Sequence, residues 1–555
     1  MSNIKQLQDI ASILRRDLIE NLGATSQNNL SNNLSYAEML SCLFFSQIHI
    51  DVKNPDNPDN DEFILANHNS NKLLNIILKR IGAIKEESPE NPWIKINKEN
   101  SNLNLSISAG LALSSKIKNR KFRSYALLEE KEVSQGLFYE ALEFSSSHQL
   151  NNLCVLLALH SDNSKLYKQR FDSFGWNSIN IQGNDIKQIL LAFKESDKSD
   201  KPTIILANMN RKEQNIGNAN GKDIILNDSQ LLQILKEIPS VKMPKILINK
   251  PKKISIKEEK NKTQHSTTEY KVTDLISTEE ACKNALNKLI SSNKNVNYLN
   301  SHTIISEENA LGIAIGLSTR EVIPFITSEN GLISGWISKN NRNALKIFGK
   351  SPSDISSYRS IKESYVFSPS DAISSEKIVK LAENLPGLTY IKNSHTPKPI
   401  LYKQDEEFLP GNFKTLISSS LDKVVIAGSG NTIQEAMKAH TLLKGARIDS
   451  AVIDLYSIKP FNTQNLIDFV KIHGNLILVM EENYSEGNIG EMLSSVLINS
   501  GINLLHLPIK ENTQLDANAI LLSIRNFLES KPLESLVKED KVDKKKSKIK
   551  SRKRR

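Results

Sequence analysis

The chain has 555 residues, of which 39% are hydrophobic and 24% are charged. This length exceeds what one hydrophobic core supports, so we expect about three or four domains. No apolar run approaches the roughly 20 residues that cross a bilayer, and the N-terminus lacks the apolar stretch of a secretory signal. The net charge of +10 is concentrated at the C-terminus, where residues 538–555 carry eleven Lys and Arg against three acidic residues. A strongly basic folded body is therefore excluded.

In the first half of the chain, apolar residues first recur at helical spacing, and predicted strands then alternate with predicted helices. Apolar residues at helical spacing predict helices over residues 5–24, 34–48 and 61–81. Four apolar runs then predict buried strands, which are SYALL (124–128), NLCVLLAL (152–159), NSINIQG (177–183) and PTIILAN (202–208). Uniformly apolar strands that alternate with helices predict a parallel α/β sheet covered on both faces.

Changes in composition divide the rest of the chain. After a first domain over residues 1–250, residues 251–270 are polar, charged and without periodicity, which predicts a linker. Two further α/β segments are predicted over 271–405 and 412–530. Residues 531–555 have too little apolar content to form a core, so we expect a disordered basic tail. The three cysteines are far apart without a CxxC pair, which predicts buried thiols in a reducing compartment.

Several blocks of the sequence resemble transketolases. AGSGNTIQEAMKAHTLL, IDLYSIKPFN and VMEENYSEGNIGEML, in the third segment, resemble the C-terminal domain of that family. VSQGLFYEALEFSSSHQLNNL is similar to its cofactor helix, and ISEENALGIAIGL to the Ile-Ala-Glu-Gln-Asn signature of its pyrimidine-binding domain. The resemblance covers about residues 5–525. It implies three consecutive α/β domains, and a two-fold dimer that holds thiamine diphosphate between the first domain of one subunit and the second domain of its mate.

The positions matching the family's metal site are substituted. Transketolases bind Mg²⁺ and the cofactor diphosphate through the Asp of a Gly-Asp-Gly and an Asn on the next strand. Here the resemblance places Glu129, Glu130 and Lys131 at the first motif and His160 at the second. Two long side chains replace glycines that allow the backbone to approach a phosphate, and imidazole suits Mg²⁺ poorly. We therefore expect no metal site, with Glu130 as the only candidate ligand.

The family's proton-handling histidines are also replaced. By resemblance, the three positions are Asn29, Asn69 and Asn220. Asparagine forms hydrogen bonds but does not titrate near neutral pH, so it cannot move protons as histidine does. His68 stands one position away from Asn69, where its side chain would point elsewhere. The family's glycine-rich cofactor loop matches ENSNLNL (99–105), which contains no glycine.

The second segment retains one catalytic position of the family. Glu307 matches the glutamate that hydrogen-bonds the pyrimidine ring and promotes ylid formation; its alternative role is a carboxylate facing the amide dipoles of a helix start. The aromatic residue that stacks on the pyrimidine matches Glu329, and a sugar-phosphate arginine matches His395. The scaffold is thus retained while most of the chemistry is replaced.

These substitutions predict a catalytically inactive transketolase-like protein that acts by binding, without a cofactor, as a homodimer or as a heterodimer with an active transketolase. The alternative is a divergent enzyme that uses Glu130 and Glu307, with thiamine diphosphate and Mg²⁺, to transfer two-carbon ketol units between sugar phosphates. A third interpretation assigns function to Lys538–Arg555, as a non-specific contact for polyanions or nucleic acid. We expect a cytoplasmic protein, with nuclear import through the tail as an option.

Overall fold

The computed structural model describes most of the chain. The described residues are 2–21, 30–65, 71–86, 91–93, 102–209, 218–219, 222–223, 228–245, 247–251, 269–299, 306–329, 345–351, 353–482, 485–508 and 516–530. The predicted linker lies mostly outside these ranges, and the basic tail lies entirely outside them. Among the described residues, no helix is long and apolar enough to span a membrane.

The chain forms two compact units. The first comprises residues 1–265, 289–328 and 335–347, and the second comprises residues 266–288, 329–334 and 348–555. The domain limits predicted from the sequence stay a prediction.

A parallel five-stranded sheet forms the centre of the first unit. Its strand order is β1-β2-β3-β5-β4, and all four neighbouring pairs run parallel. The strands are β1 (Glu62–Leu65), β2 (Ser124–Glu129), β3 (Leu153–Leu159), β4 (Asn177–Gln182) and β5 (Thr203–Asn208). Every residue of β2 and β3 is buried, because helices cover both faces of a parallel sheet. The prediction of an α/β fold with parallel sheets is confirmed.

Helices surround this sheet. They are α1 (Ser2–Glu20), α2 (Leu30–Ser35), α3 (Ala37–Cys42), α4 (Asn71–Arg80), α5 (Asn104–Ile117), α6 (Gly136–Ser147), α7 (Ser164–Ser173), α8 (Ile186–Ser196) and α9 (Asp228–Glu237). A π-helical turn, Leu43–Gln47, continues α3, and the short strands β6 (Asn218–Ala219) and β7 (Lys222–Asp223) pair with each other. The helix predicted over 61–81 is wrong at its start. Residues 62–65 form an edge strand instead, because they gain ladder hydrogen bonds by pairing with β2.

The first unit also contains a close crossing of two helices, α5 and α11 (Glu307–Ser318). A Cβ atom added to Gly110 would lie 2.9 Å from the carbonyl carbon of Ile313. One added to Gly316 would collide with the Ile107 carbonyl and lie 2.8 Å from the Leu111 backbone nitrogen. Glycine is therefore required at both positions so that the two backbones can approach.

The remaining strands of the first unit adjoin α11. Strands β9 (Val296–Leu299) and β10 (Ile323–Ser328) pair in parallel. Arg320 anchors the end of α11, since its Nη2 atom lies 2.5 Å from Glu62 Oε1 and donates to the Asn60 carbonyl at 2.7 Å. Two elements, α10 (Thr278–Ser292) and β11 (Lys346–Gly349), contain residues of both units.

The second unit contains a five-stranded sheet in the order β15-β17-β16-β19-β20. The central pairings are parallel, as predicted, and β15 is an antiparallel edge strand that the sequence pattern missed. Its strands are β15 (Lys414–Ile417), β16 (Val424–Gly428), β17 (Ser450–Asp454), β19 (Leu476–Glu481) and β20 (Asn503–Pro508). Its helices are α14 (Thr432–Gly445), α15 (Thr463–Ile472), α16 (Ile489–Leu497) and α17 (Ala517–Ser530).

Shorter elements complete the second unit. They are β8 (Leu275–Ser277), α12 (Asp354–Ser360), β12 (Tyr365–Phe367), α13 (Ala372–Asn384), β13 (Thr389–Lys392), β14 (Pro397–Pro399) and β18 (Ser457–Lys459). Strand β12 pairs in parallel with β13 and antiparallel with β18, and β14 pairs antiparallel with β8. The three cysteines, Cys42, Cys154 and Cys282, are buried free thiols, as predicted.

Candidate functional site

The turn after β2 brings three of the predicted site residues together. Strand β2 ends at Glu129, and residues Glu130–Ser134 form a short 3₁₀ turn that leads into α6. Glu129 and Glu132 cap this turn reciprocally, since each side chain accepts a hydrogen bond from the backbone N–H of the other residue. A capping box of this kind satisfies N–H groups that a helical turn leaves without partners.

Both carboxylate oxygens of Glu129 contact donors from the chain itself. The Tyr36 hydroxyl donates to Oε1 at 3.2 Å, and Lys131 Nζ lies 2.6 Å from Oε2. Burial and the neighbouring Glu129 raise the pKa of Tyr36 well above its ordinary value. Tyr36 thus stays a neutral donor at physiological pH, and Glu129 is an internally neutralised carboxylate.

Glu132 is a second buried carboxyl group in this turn, with only 4% of its surface exposed. Its Oε1 accepts from the Glu129 backbone at 3.3 Å, and its Oε2 accepts from Asn104 Nδ2 at 3.4 Å. Burial raises the pKa of Glu132 to about 7, against the effect of these hydrogen bonds. A carboxyl group that changes charge near neutral pH therefore lies beside Glu129.

Glu130 makes four hydrogen bonds, all to the segment that follows β3. Oε2 accepts from the backbone N–H of His160 at 2.7 Å and of Ser161 at 2.9 Å. Oε1 accepts from the Ser161 hydroxyl and from the Tyr167 hydroxyl, the latter at 3.2 Å. Burial acts to raise the pKa of Glu130, but these bonds outweigh it and hold the pKa below its ordinary value. Glu130 is therefore ionised at neutral pH.

His160 directly follows β3, and its backbone N–H donates to Glu130 Oε2. Burial lowers the pKa of His160, although Glu129 and Glu130 act in the opposite direction. The structure thus places Glu129, Glu130, Lys131 and His160 near one another, linked by their own hydrogen bonds and charges.

These residues do not fit Mg²⁺. The ion needs oxygen lone pairs directed toward it in near-octahedral geometry. An ionised carboxylate offers about four acceptor positions, and Glu130 uses four for donors of its own chain. The loop also presents N–H donors at this point, which repel a cation. Among the described residues, no group of three or more His, Cys, Asp or Glu side chains could hold a metal ion.

Glu307 lies in the first turn of α11, after the N-cap Ser306, whose side chain accepts from the Asn309 backbone N–H at 3.2 Å. The Ser328 hydroxyl donates to Glu307 Oε2 at 2.8 Å. Ser306 also donates to Glu140 on α6. Glu307 thus faces the amide dipoles of a helix start and accepts a hydrogen bond from Ser328.

The two other predicted positions lie in the second unit. Glu329 directly follows β10 and is exposed. His395 takes part in an ion-pair network, because its Nδ1 contacts Glu279 and its Nε2 lies 2.7 Å from Lys350 Nζ. The Lys350 ammonium can only donate, so Nε2 of His395 is the acceptor in this contact.

Some predicted positions cannot be compared. Asn29, Asn69, Asn220 and His68 lie outside the described residues, as does the start of the loop 99–105. The sequence reasoning missed four residues that complete the network, namely Tyr36, Glu132, Ser161 and Tyr167. The Glu-x-x-Glu spacing of 129 and 132 is a capping-box pattern that could have identified Glu132. No local signal connects Tyr36 or Tyr167 to this turn.

Comparisons with known proteins support one family. Residues 414–522 match the family model of the transketolase C-terminal domain. Human transketolase is 28% identical, over 94% of this chain and 95% of the relative. Mouse transketolase-like protein 2 is also 28% identical, over 89% of this chain and 91% of the relative. Campylobacter jejuni transketolase has a similar fold, with a TM-score of 0.67 at 14% identity over 95% of this chain and all of that chain.

The fold and the turn after β2 define an α/β protein with parallel-sheet domains of transketolase type. The resemblance to transketolases noted in the sequence is confirmed, by the C-terminal domain model that matches residues 414–522 and by relatives that are similar over most of the chain. It spans nearly the full length of the relatives it matches.

Proposed function

We propose that this protein is a transketolase-like pseudoenzyme without ketol-transfer activity, which acts by binding a partner. The observation that supports this most directly is the Glu130 carboxylate, whose acceptor positions are taken by His160, Ser161 and Tyr167. A thiamine diphosphate would bring about three negative charges to a turn where Glu130 is ionised. A like-charge contact at ~4 Å costs on the order of 4 kcal/mol at an effective dielectric near 20.

The test is a calorimetric titration with thiamine diphosphate and MgCl₂, alongside a ketol-transfer assay and human transketolase as a positive control. We expect no binding at micromolar concentration and no activity, because the like-charge cost, the missing metal and the missing aromatic at position 329 act together against the ~8 kcal/mol that defines micromolar affinity. The combined variant E129G/E130D/K131G/H160N should recover only weak binding, because the glycine-free loop 99–105 is unchanged. A dissociation constant below about 10 µM for the natural protein, or ketol transfer, would contradict the proposal.

The alternative function is a divergent active enzyme, and Glu307 is the observation that favours it. Its side chain is held by Ser328 at the start of α11, and the matching family residue acts on the cofactor's pyrimidine ring. This enzyme would need thiamine diphosphate and a metal ion. The same titration therefore separates the two functions.

We further propose that the protein forms a dimer, either with a second copy or with an active transketolase. The support is the resemblance to transketolases, which implies a two-fold dimer. Helix α11 already covers α5 within one chain, so the dimer surface would involve other residues. Sedimentation at micromolar concentration should give twice the 62.2 kDa mass of one chain. A species at the mass of a single chain, with no mixed dimer on co-purification with an active transketolase, would contradict this. We also propose a cytoplasmic location, because the three cysteines are buried free thiols, which suits a reducing compartment.

A further inference from the structure

The carboxyl ends of β2 and β3 are joined by one side chain. The two strands pair in parallel, with Glu129 opposite Ala158, so their following segments begin side by side. Glu130 extends from the first segment to the second, where it contacts His160 and Ser161. A further contact reaches Tyr167 on α7. One carboxylate therefore links a strand end, the neighbouring loop and a helix.

The polarity of this loop suits an anion and not a cation. Two successive backbone N–H groups and two hydroxyl groups converge on the Glu130 oxygens. Hydrogen bonds from neutral donors to an ionised carboxylate are stronger than those between neutral groups. Removing the carboxylate would leave partly buried donors without an acceptor, which is costly. The loop after β3 is thus a small anion receptor that the chain fills with its own side chain.

We propose that the Glu130 carboxylate serves as an internal structural substitute for a bound metal ion, joining the ends of β2 and β3. This inference shares one premise with the proposed function, which is that no metal ion binds at the turn after β2. Stability of the first unit then depends on Glu130 and is independent of divalent cations.

The experiment measures thermal unfolding of the full chain and of Glu130→Ala, with MgCl₂, with EDTA, or with sodium formate or acetate. We expect the midpoint of thermal unfolding of the natural protein to be the same with each of the four additions. Glu130→Ala should unfold about 3–6 °C lower, and formate or acetate should restore part of the loss by occupying the vacated receptor. Sodium chloride at equal ionic strength controls for screening. Glu143→Ala, at an exposed glutamate of α6, should show neither the loss nor the rescue.

A second measurement applies if Glu130→Ala does not fold. Hydrogen exchange of the natural protein should show protection at the His160 and Ser161 amides, and Glu130→Met, which keeps the side-chain length but has no oxygen acceptor, should lose it there while β3 stays protected. An unchanged midpoint in Glu130→Ala, or stabilisation of the natural protein by Mg²⁺ that requires Glu130, overturns the inference. If thiamine diphosphate binds while Mg²⁺ leaves the midpoint of thermal unfolding unchanged, only the proposed function is overturned.

Discussion

Replacing Gly316 by alanine is expected to lower the free energy of unfolding by about 1–3 kcal/mol, since overpacking at a tight contact has this cost. The added Cβ would collide with the Ile107 carbonyl and lie 2.8 Å from the Leu111 nitrogen. Both atoms belong to the backbone of α5, so no side chain can rotate away. The helices must separate, and burial along their contact is lost. Denaturant unfolding followed by circular dichroism measures the change.

Gly136→Ala is the matched control for this prediction. Gly136 begins α6 in the same unit, and a Cβ atom there would have no heavy atom within 4 Å. Its backbone is outside the left-handed region. Alanine has the higher helix propensity, so this variant should be neutral or more stable by up to about 1 kcal/mol. Equal stability of the Gly316 and Gly136 variants would show that the α5–α11 crossing is not tight.

Replacing Glu132 by glutamine should stabilise the protein at pH 8, and the gain should shrink toward zero as the pH falls to 5. The pKa of Glu132 is about 7 in the folded chain, against about 4.3 in an unfolded chain. The folded state therefore binds more protons between these values, and stability falls as the pH rises through this window. The full cost of ionising the buried Glu132 carboxyl, at most about 4 kcal/mol, applies above pH 7. Glutamine removes the charge and can keep the hydrogen bond from the Glu129 backbone.

The control for the Glu132 prediction is Glu143→Gln, which changes the same charge at an exposed position of α6. It should shift stability little at any pH, because an exposed carboxylate keeps its hydration in both states. Measuring the difference between each variant and the natural protein at several pH values isolates the titration. A pH-independent effect of Glu132→Gln would show that Glu132 does not hold a proton in the folded protein.

Periodicity located most of the sheet-forming elements, because a buried parallel strand is apolar along its length. SYALL and NLCVLLAL became β2 and β3 with ends within a residue or two of their predicted limits. It failed at Glu62–Leu65, where four residues are too few to reveal a period of two and the flanking apolar residues fit a helix. The antiparallel edge strand β15 was missed for a related reason, since its exposed positions remove the apolar run.

The sequence grouped residues that lie near one another at the turn after β2, but it did not indicate how they are connected, and their role as a site stays a prediction. Resemblance placed Glu129, Glu130 and His160 at one location, and the structure brings them together. What the sequence could not indicate is that Glu130 binds the backbone of residues 160 and 161, because a backbone donor has no sequence signature. Tyr36 lies 93 positions before Glu129, and only the packed fold creates that contact. The partners of these residues are therefore identified only by the tertiary structure.

The contacts of Glu130 also have an evolutionary consequence. A return to the family's aspartate by one mutation would shorten the side chain by a methylene group and withdraw it from the His160 and Ser161 amides. Leaving a buried donor without an acceptor costs about 1–3 kcal/mol, so the intermediate is less stable than either end state. Reversal needs the loop and the turn to change together, which makes these substitutions epistatic. The hydrogen bonds therefore couple position 130 to the backbone of residues 160 and 161, so a change at one of them is accommodated only by a change at the other.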